Sequence, residues 1–150
     1  LQGLAFAHEA GLAHGDIGGC SVLIDAQGRA LLGALGVSGT DTRAAPAASA
    51  TGTGELRDQR NASEQDLLAC GLLLHRLLAG APALDEADAP TAVQRLEREI
   101  VRLGWSTPQP VPEALRAIVN RATEREPQRR YLSARSLQRD AGRQRTAHQQ

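Results

Sequence analysis

Leu1, Leu4, Ala5, His8 and Leu12 recur at spacings of three and four, so the chain opens on an amphipathic helix expected to end near Gly11. A polar stretch from His14 to Ser21 then gives way to Val22, Leu23 and Ile24, a short apolar strand. Asp25 to Gly28 supply a turn, and Ala30 to Leu32 form a second strand ending at Gly33. The pattern is a hairpin with His14 and Asp16 at its mouth. From Val37 to Gly54 the chain is almost entirely Ala, Gly, Ser and Thr, which offers little apolar area against the entropy of ordering it, so mobility is expected there. Asn61 or Ser63 reads as a helix cap, with Glu64, Gln65 and Asp66 in a first turn that favours acids. The helix itself, Asp66 to Ala79, is apolar on nearly every side and is expected to be buried on all faces. It stops at Gly80, with Pro82 beyond.

Farther along, Asp85 to Pro90 reads as an acidic loop. Thr91 to Leu103 returns to helical spacing, with Val93, Leu96, Ile100 and Leu103 on one stripe and Arg95, Arg98 and Arg102 across from Glu97 and Glu99 on a solvated face. Trp105, in a loop rich in proline, is expected to anchor packing. Two helices follow, Pro112 to Arg125 and Ser133 to about Arg145, with Pro112 or the next residue opening the first of them. Residues 146–150 form a polar tail.

Composition sharpens this outline. At 150 residues the chain suits one domain, and Phe6, Trp105 and Tyr131 are its only aromatics, so the core must come from Leu, Ala, Val and Ile. Basic and acidic residues balance at 17 each, which leaves no global field toward nucleic acid or an anionic membrane. Every basic residue is arginine, and chemistry that needs a lysine is excluded from this chain. Cys20 and Cys70 have neither framework nor metal-ligand spacing and read as bystanders in a reducing compartment. Leu67 to Leu84 is the longest apolar run, but His75 and Arg76 interrupt it, so no membrane segment is expected. With no signal peptide in view, a cytoplasmic location is the default. The chain has no methionine and opens inside a helical pattern, which reads as a piece of a longer protein with regions missing on either side. Between Arg116 and Arg145 there is a local excess of six positive charges, yet only Tyr131 could stack on a base; nucleic acid is an unlikely partner.

The segment HGDIGGCSVLIDAQGRALLGALG, His14 to Gly36, resembles the catalytic and metal-binding loops of bacterial Ser/Thr protein kinases, H-R-D-x-K-x-x-N followed by a hairpin and D-F-G. The spacing matches without a gap. LAFAHEAGLAHGD is similar to the helix that leads into that loop, and DLLACGLLLHRLLAG to the central helix of the C-terminal lobe. REPQRRYLSA looks like K-D-P-x-x-R-Y-x-S-A. The resemblance implies an α+β, mainly α-helical fold over residues 1–145: a kinase-like C-terminal lobe with a small hairpin, no N-terminal lobe, and a degenerate activation segment at residues 37–60. It assigns Asp16 to the base position, His14 to a structural role, and Asp66 to support of the loop; for Asp66 a plain cap or first-turn acid is the alternative.

The same resemblance implies lost chemistry. The arginine of H-R-D is Gly15, the lysine is Gly18, the asparagine is Ser21, and the D-F-G aspartate is Ala34, so Ser21 is at best a weak ligand and Ala34 offers no oxygen. Phosphoryl transfer is mostly positioning and charge neutralisation. Loss of the lysine, the asparagine and the aspartate, each worth roughly 2.7–4 kcal/mol of barrier, would abolish turnover even allowing for non-additivity. The A-P-E glutamate is Arg60, so the arginine that would pair with it, Arg130, meets a like charge; losing one partner of such a buried pair typically costs about 3–5 kcal/mol. The implied function is a pseudokinase scaffold or regulatory module of a bacterial signalling protein, with other domains of its own chain or another protein as partner and no cofactor expected. The alternative is a fragment of an active Ser/Thr kinase using ATP and magnesium with Asp16 as base. A helical module binding through the Arg116 to Arg145 face is a third reading.

Overall fold

A computed structural model describes residues 1–18, 21–33, 52–80, 89–99, 101–105 and 107–148. Among them are five helices and one two-stranded antiparallel sheet, in the order α1 (Gln2–Glu9), β1 (Val22–Ile24), β2 (Ala30–Leu32), α2 (Gly52–Ala79), α3 (Ala89–Arg98), α4 (Glu113–Ala122) and α5 (Ala134–His148). The protein is thus mainly helical. The expectations placed on Cys20, on Ala34, on residues 37–51, on Pro82, on Asp85 and on Ile100 lie outside the described residues.

Helix α1 ends as its sequence requires. Gly11 takes φ +79°, a conformation that costs L-residues with a Cβ, and its amide and that of Leu12 reach back to His8 O at 3.0 Å and Ala7 O at 2.8 Å. The hairpin pairs Val22 with Leu32, Leu23 with Leu31 and Ile24 with Ala30. Its turn is organised by Asp25, whose Oδ1 accepts the amides of Gln27 and Arg29, each at 2.9 Å. These bonds hold the Asp25 carboxyl below its ordinary range, the Arg29 amide being the main cause.

Three sequence expectations need correction. Helix α2 begins at Gly52, not in the low sixties. Between Glu55 and Gln65 there is neither Gly nor Pro, and the residues read as caps turn to partners along the helix: Gln59 Nε2 donates to Ser63 Oγ at 3.5 Å and Arg60 Nε to Glu64 at 3.3 Å, both pairs being four residues apart. Burial of α2 is also confined. Residues 66 to 71 and His75 are buried, whereas Leu77 is 70% exposed, so the second half of the helix keeps an open side. Helix α3 stops at Arg98 instead of running to Leu103; its Val93 and Leu96 are buried, and the Arg95 to Glu99 pair at 3.2 Å closes its last turn.

The core sits where α2 is crossed by α3 and α4 and where α5 packs on α1 and α4. Leu68 and Leu137 are fully buried, joined by Leu4, Leu96 and Val119. At the α2–α4 crossing Gly71 is what lets the backbones meet: a Cβ there would lie 2.7 Å from Thr123 Cγ2 and 2.9 Å from Ala122 Cβ. Beside it Cys70 is buried, which pushes its thiol up to about 11 and leaves it inert near neutral pH. Trp105 packs its ring 4.6 Å from that of His75, whose Nε2 bonds Gly104 O at 2.7 Å, so the tryptophan serves as the expected anchor. Tyr131 is buried beneath Arg121, 4.3 Å above its ring, and donates to Asp140 at 3.1 Å; burial, then Asp140, pushes its hydroxyl up to about 12.

A paired substitution tests the crossing. Gly71→Ala gains helix propensity worth roughly 1 kcal/mol but must overpack, which costs about 1–3 kcal/mol; contacts under 3 Å to a short side chain decide the sign as destabilising. Gly142→Ala, in α5 with nothing within 4 Å of the added Cβ, should instead stabilise by roughly 0.5–1 kcal/mol. Urea unfolding of both variants measures this, and equal shifts in both would sink the account.

Candidate functional site

The polar loop of residues 14–18 is held from below by α2. Asp66 is 2% exposed, and its carboxylate accepts the amide of His14 at 2.7 Å through Oδ2 and the amide of Gly15 at 2.9 Å through Oδ1. His8, from α1, closes the third contact, Nε2 to Oδ2 at 2.8 Å. A buried carboxylate is tolerable only when donors replace its water, and three do so here. Because α2 starts at Gly52, Asp66 lies in the helix interior; the cap or first-turn reading of this residue is therefore excluded.

His14 is buried and faces the hairpin. Its Nε2 donates to Gly33 O at 2.7 Å and its Nδ1 accepts the Asp16 amide at 3.2 Å, two contacts that one ring tautomer satisfies together. The imidazole thereby ties the loop to the end of β2. Gly15 adopts φ +85°, where a side chain would be strained, so the glycine at the arginine position is also what permits this backbone. Next in the chain, Ile17 turns inward and is 4% exposed, joining the core with Leu67 and Val93.

Asp16 itself is exposed, beside a cavity of about 60 Å³ that Gly15, Ile17, Gln65 and Val93 also line. Sites for small molecules typically measure about 300–1,000 Å³. Ser21 is buried, and its hydroxyl is committed locally, donating to Gly18 O at 2.7 Å and accepting the Gly18 amide at 2.9 Å. His14, Asp16 and Asp66 thus come together as a braced loop with Ser21 closing the turn behind it; Ala34 lies outside the described residues.

His8 is the residue that sequence reasoning missed. Its place on the apolar stripe of α1 read as packing, yet it is a donor to the bracing carboxylate. The available signal was its neighbourhood: a histidine one turn before the helix end is close enough to reach what supports the following loop. On the Arg-rich C-terminal face, four of the arginines have acidic neighbours: Arg121 and Arg143 with Asp140, Arg129 with Glu126, and Arg135 with Glu9 at 2.8 Å. Much of its local charge is therefore matched.

Removing the brace should be costly. Asp66→Asn keeps the shape but turns its amide NH2, a donor, toward at least one of the donors that now bond the carboxylate; since a hydrogen bond to a charged group contributes roughly 1.5–3 kcal/mol, a loss of about 2–4 kcal/mol is expected in urea unfolding. Amide hydrogen exchange at His14 and Gly15 should accelerate in the variant well beyond the rest of the chain. Exchange that stays as slow as in the parent would contradict the bracing role.

No protein-family model matches the chain. It is similar to the serine/threonine-protein kinase PknL of Mycobacterium tuberculosis, 33% identical over 147 residues, an alignment that covers 89% of this chain and 36% of that kinase. PknL of Mycobacterium bovis matches equally. CBL-interacting serine/threonine-protein kinase 8 of Arabidopsis thaliana is 25% identical over 150 residues, covering 89% of this chain and 31% of its own. The chain spans about a third of the length of these relatives. Its sequence is related to those of serine/threonine protein kinases.

Proposed function

We propose that this chain is the C-terminal lobe of a kinase-like domain that has kept the loop architecture and lost phosphoryl transfer, and that it works as a scaffold or regulatory docking module for other domains of its chain or for a protein partner. The observation that carries the reading is the contrast around one loop. Asp66 braces His14 and Gly15 in full, while the positions that would hold metal and phosphate are empty of ligands.

The residues present do not fit magnesium and ATP. Gly15 and Gly18 bring no cation, Ala34 brings no oxygen, and the Ser21 hydroxyl already serves Gly18 as donor and acceptor. A metal at Ser21 would have to break that turn. No step of phosphoryl transfer is derived through this site. Asp16, His14 and Asp66 then persist for the sake of the fold, with Asp16 a vestige of the base position.

One observation favours the active-kinase reading: Asp16 is exposed, as a base meeting a substrate hydroxyl must be. Among the described residues no helix is long and apolar enough to cross a membrane.

Thermal unfolding of the complete protein with magnesium and ATP, beside an Asp16→Ala variant, separates the two readings. A ligand at a hundred times its dissociation constant adds about 2.7 kcal/mol of stability. The melting temperature is expected to stay unchanged in both proteins. A magnesium-dependent rise in the parent would put the enzyme reading ahead.

A further inference from the structure

Behind the loop brace, on the far side of His8, lies a second cavity of about 360 Å³ between α1, α2 and the segment that leads into α5. Arg60, Ser63 and Glu64 line it from α2; Arg130 and Ser133 line it from the segment before α5. Arg130 is 6% exposed, and two of its three guanidinium nitrogens, Nε and Nη1, have no hydrogen-bond partner. The third, Nη2, has only a long contact of 3.4 Å to Arg125 O. Among the described residues no acid pairs with it. A permanently charged group of this kind, taken out of water without a counter-ion, is expensive and is ordinarily met by a carboxylate or an anion.

We infer that this cavity is an anion site, built to take a phosphate group between Arg130 and Arg60. Arg130 and Arg60 line this cavity from different elements, and the Arg60 pair with Glu64, at 3.3 Å on an exposed side chain, is weak enough to be given up. Arg60 and Arg130 against Glu64 leave this lining with one net positive charge, while Glu97, Glu124 and Glu126 lie with Arg130 around the neighbouring cavity. A monocarboxylate would answer one guanidinium; a phosphate, with more charge and more acceptor oxygens, answers both, and the hydroxyls of Ser63 and Ser133 stand in the same wall. The inference does not depend on whether Asp16 retains any activity.

Two sources share this chemistry: free phosphate, and a phosphate carried on a protein side chain. Thermal unfolding of the complete protein in rising inorganic phosphate, against chloride at matched ionic strength, should show a saturable rise of several degrees. O-phosphoserine serves as the second probe; saturation at lower concentration than phosphate assigns the site to a phosphorylated side chain, and saturation at higher concentration assigns it to the free ion. Arg130→Met, which removes a buried unpaired charge and keeps the volume, should melt at or above the parent temperature and lose the response. Arg60→Glu, which places a carboxylate where the anion would sit, should lose it too while folding normally. A parent protein indifferent to both probes, or a response that survives in both variants, overturns the assignment.

Discussion

The carboxylate of Asp66 is the constraint on which the rest of this structure depends. It is buried in the interior of a long helix, where an ionised group without partners would cost several kcal/mol. The chain meets that demand with two consecutive backbone amides, His14 and Gly15, and one side chain, His8. These donors come from residues more than fifty positions earlier, so the contact fixes α1 and the polar loop on α2 together. Once the loop is fixed, His14 carries the restraint onward to Gly33 and so to the hairpin, whose apolar side chains are mostly exposed and do little to hold it in place. The strands are three residues long, and Leu23 and Ile24 are exposed. A hairpin of that size is marginal alone.

This arrangement makes the shape of the loop insensitive to most of its side chains. The brace acts on backbone N–H groups, which every residue but proline supplies, so the identities of the residues at 15 and 18 do not enter it except through the backbone they allow. At one of these positions, Gly15, glycine suits the backbone, since φ is +85° there. The Ser21 hydroxyl folds back on Gly18 and closes the turn from within. The shape of the loop thus rests on its backbone amides and on the His14 and Ser21 side chains, not on the exposed carboxylate of Asp16.

What could be read from the sequence follows the same division. The hairpin was legible to the residue, because alternation, Asp25 and Gly28 are local signals that act within a few positions. The end of α1 near Gly11 and the start of α5 next to Ser133 were legible for the same reason; the capping itself, Ser133 Oγ accepting the Ser136 amide at 3.1 Å, is seen only in the structure. The start of α2 was not. Asn61 and Ser63 are good caps in isolation, but a cap signal only competes with continuation, and pairs such as Arg60 with Glu64 favour continuation. The early end of α3 and the open side of α2 were also hidden, since both depend on what packs alongside. For the loop, Asp16, His14 and Asp66 could be named from motif spacing; the share taken by His8 could not, because it arises from where α1 lies over α2.

Arg130 carries a different kind of demand. A buried arginine is tolerated when an acid or an anion meets it, and the arginine of α2 that lines the cavity with it, Arg60, is engaged with Glu64. The same cavity holds Ser63, Ser133 and His8, and His8 is the residue that bonds the brace supporting the loop. Whatever occupies that cavity therefore bears on His8, and through His8 on Asp66, so the part of the molecule that still carries unmatched charge is mechanically connected to the part that has kept its form.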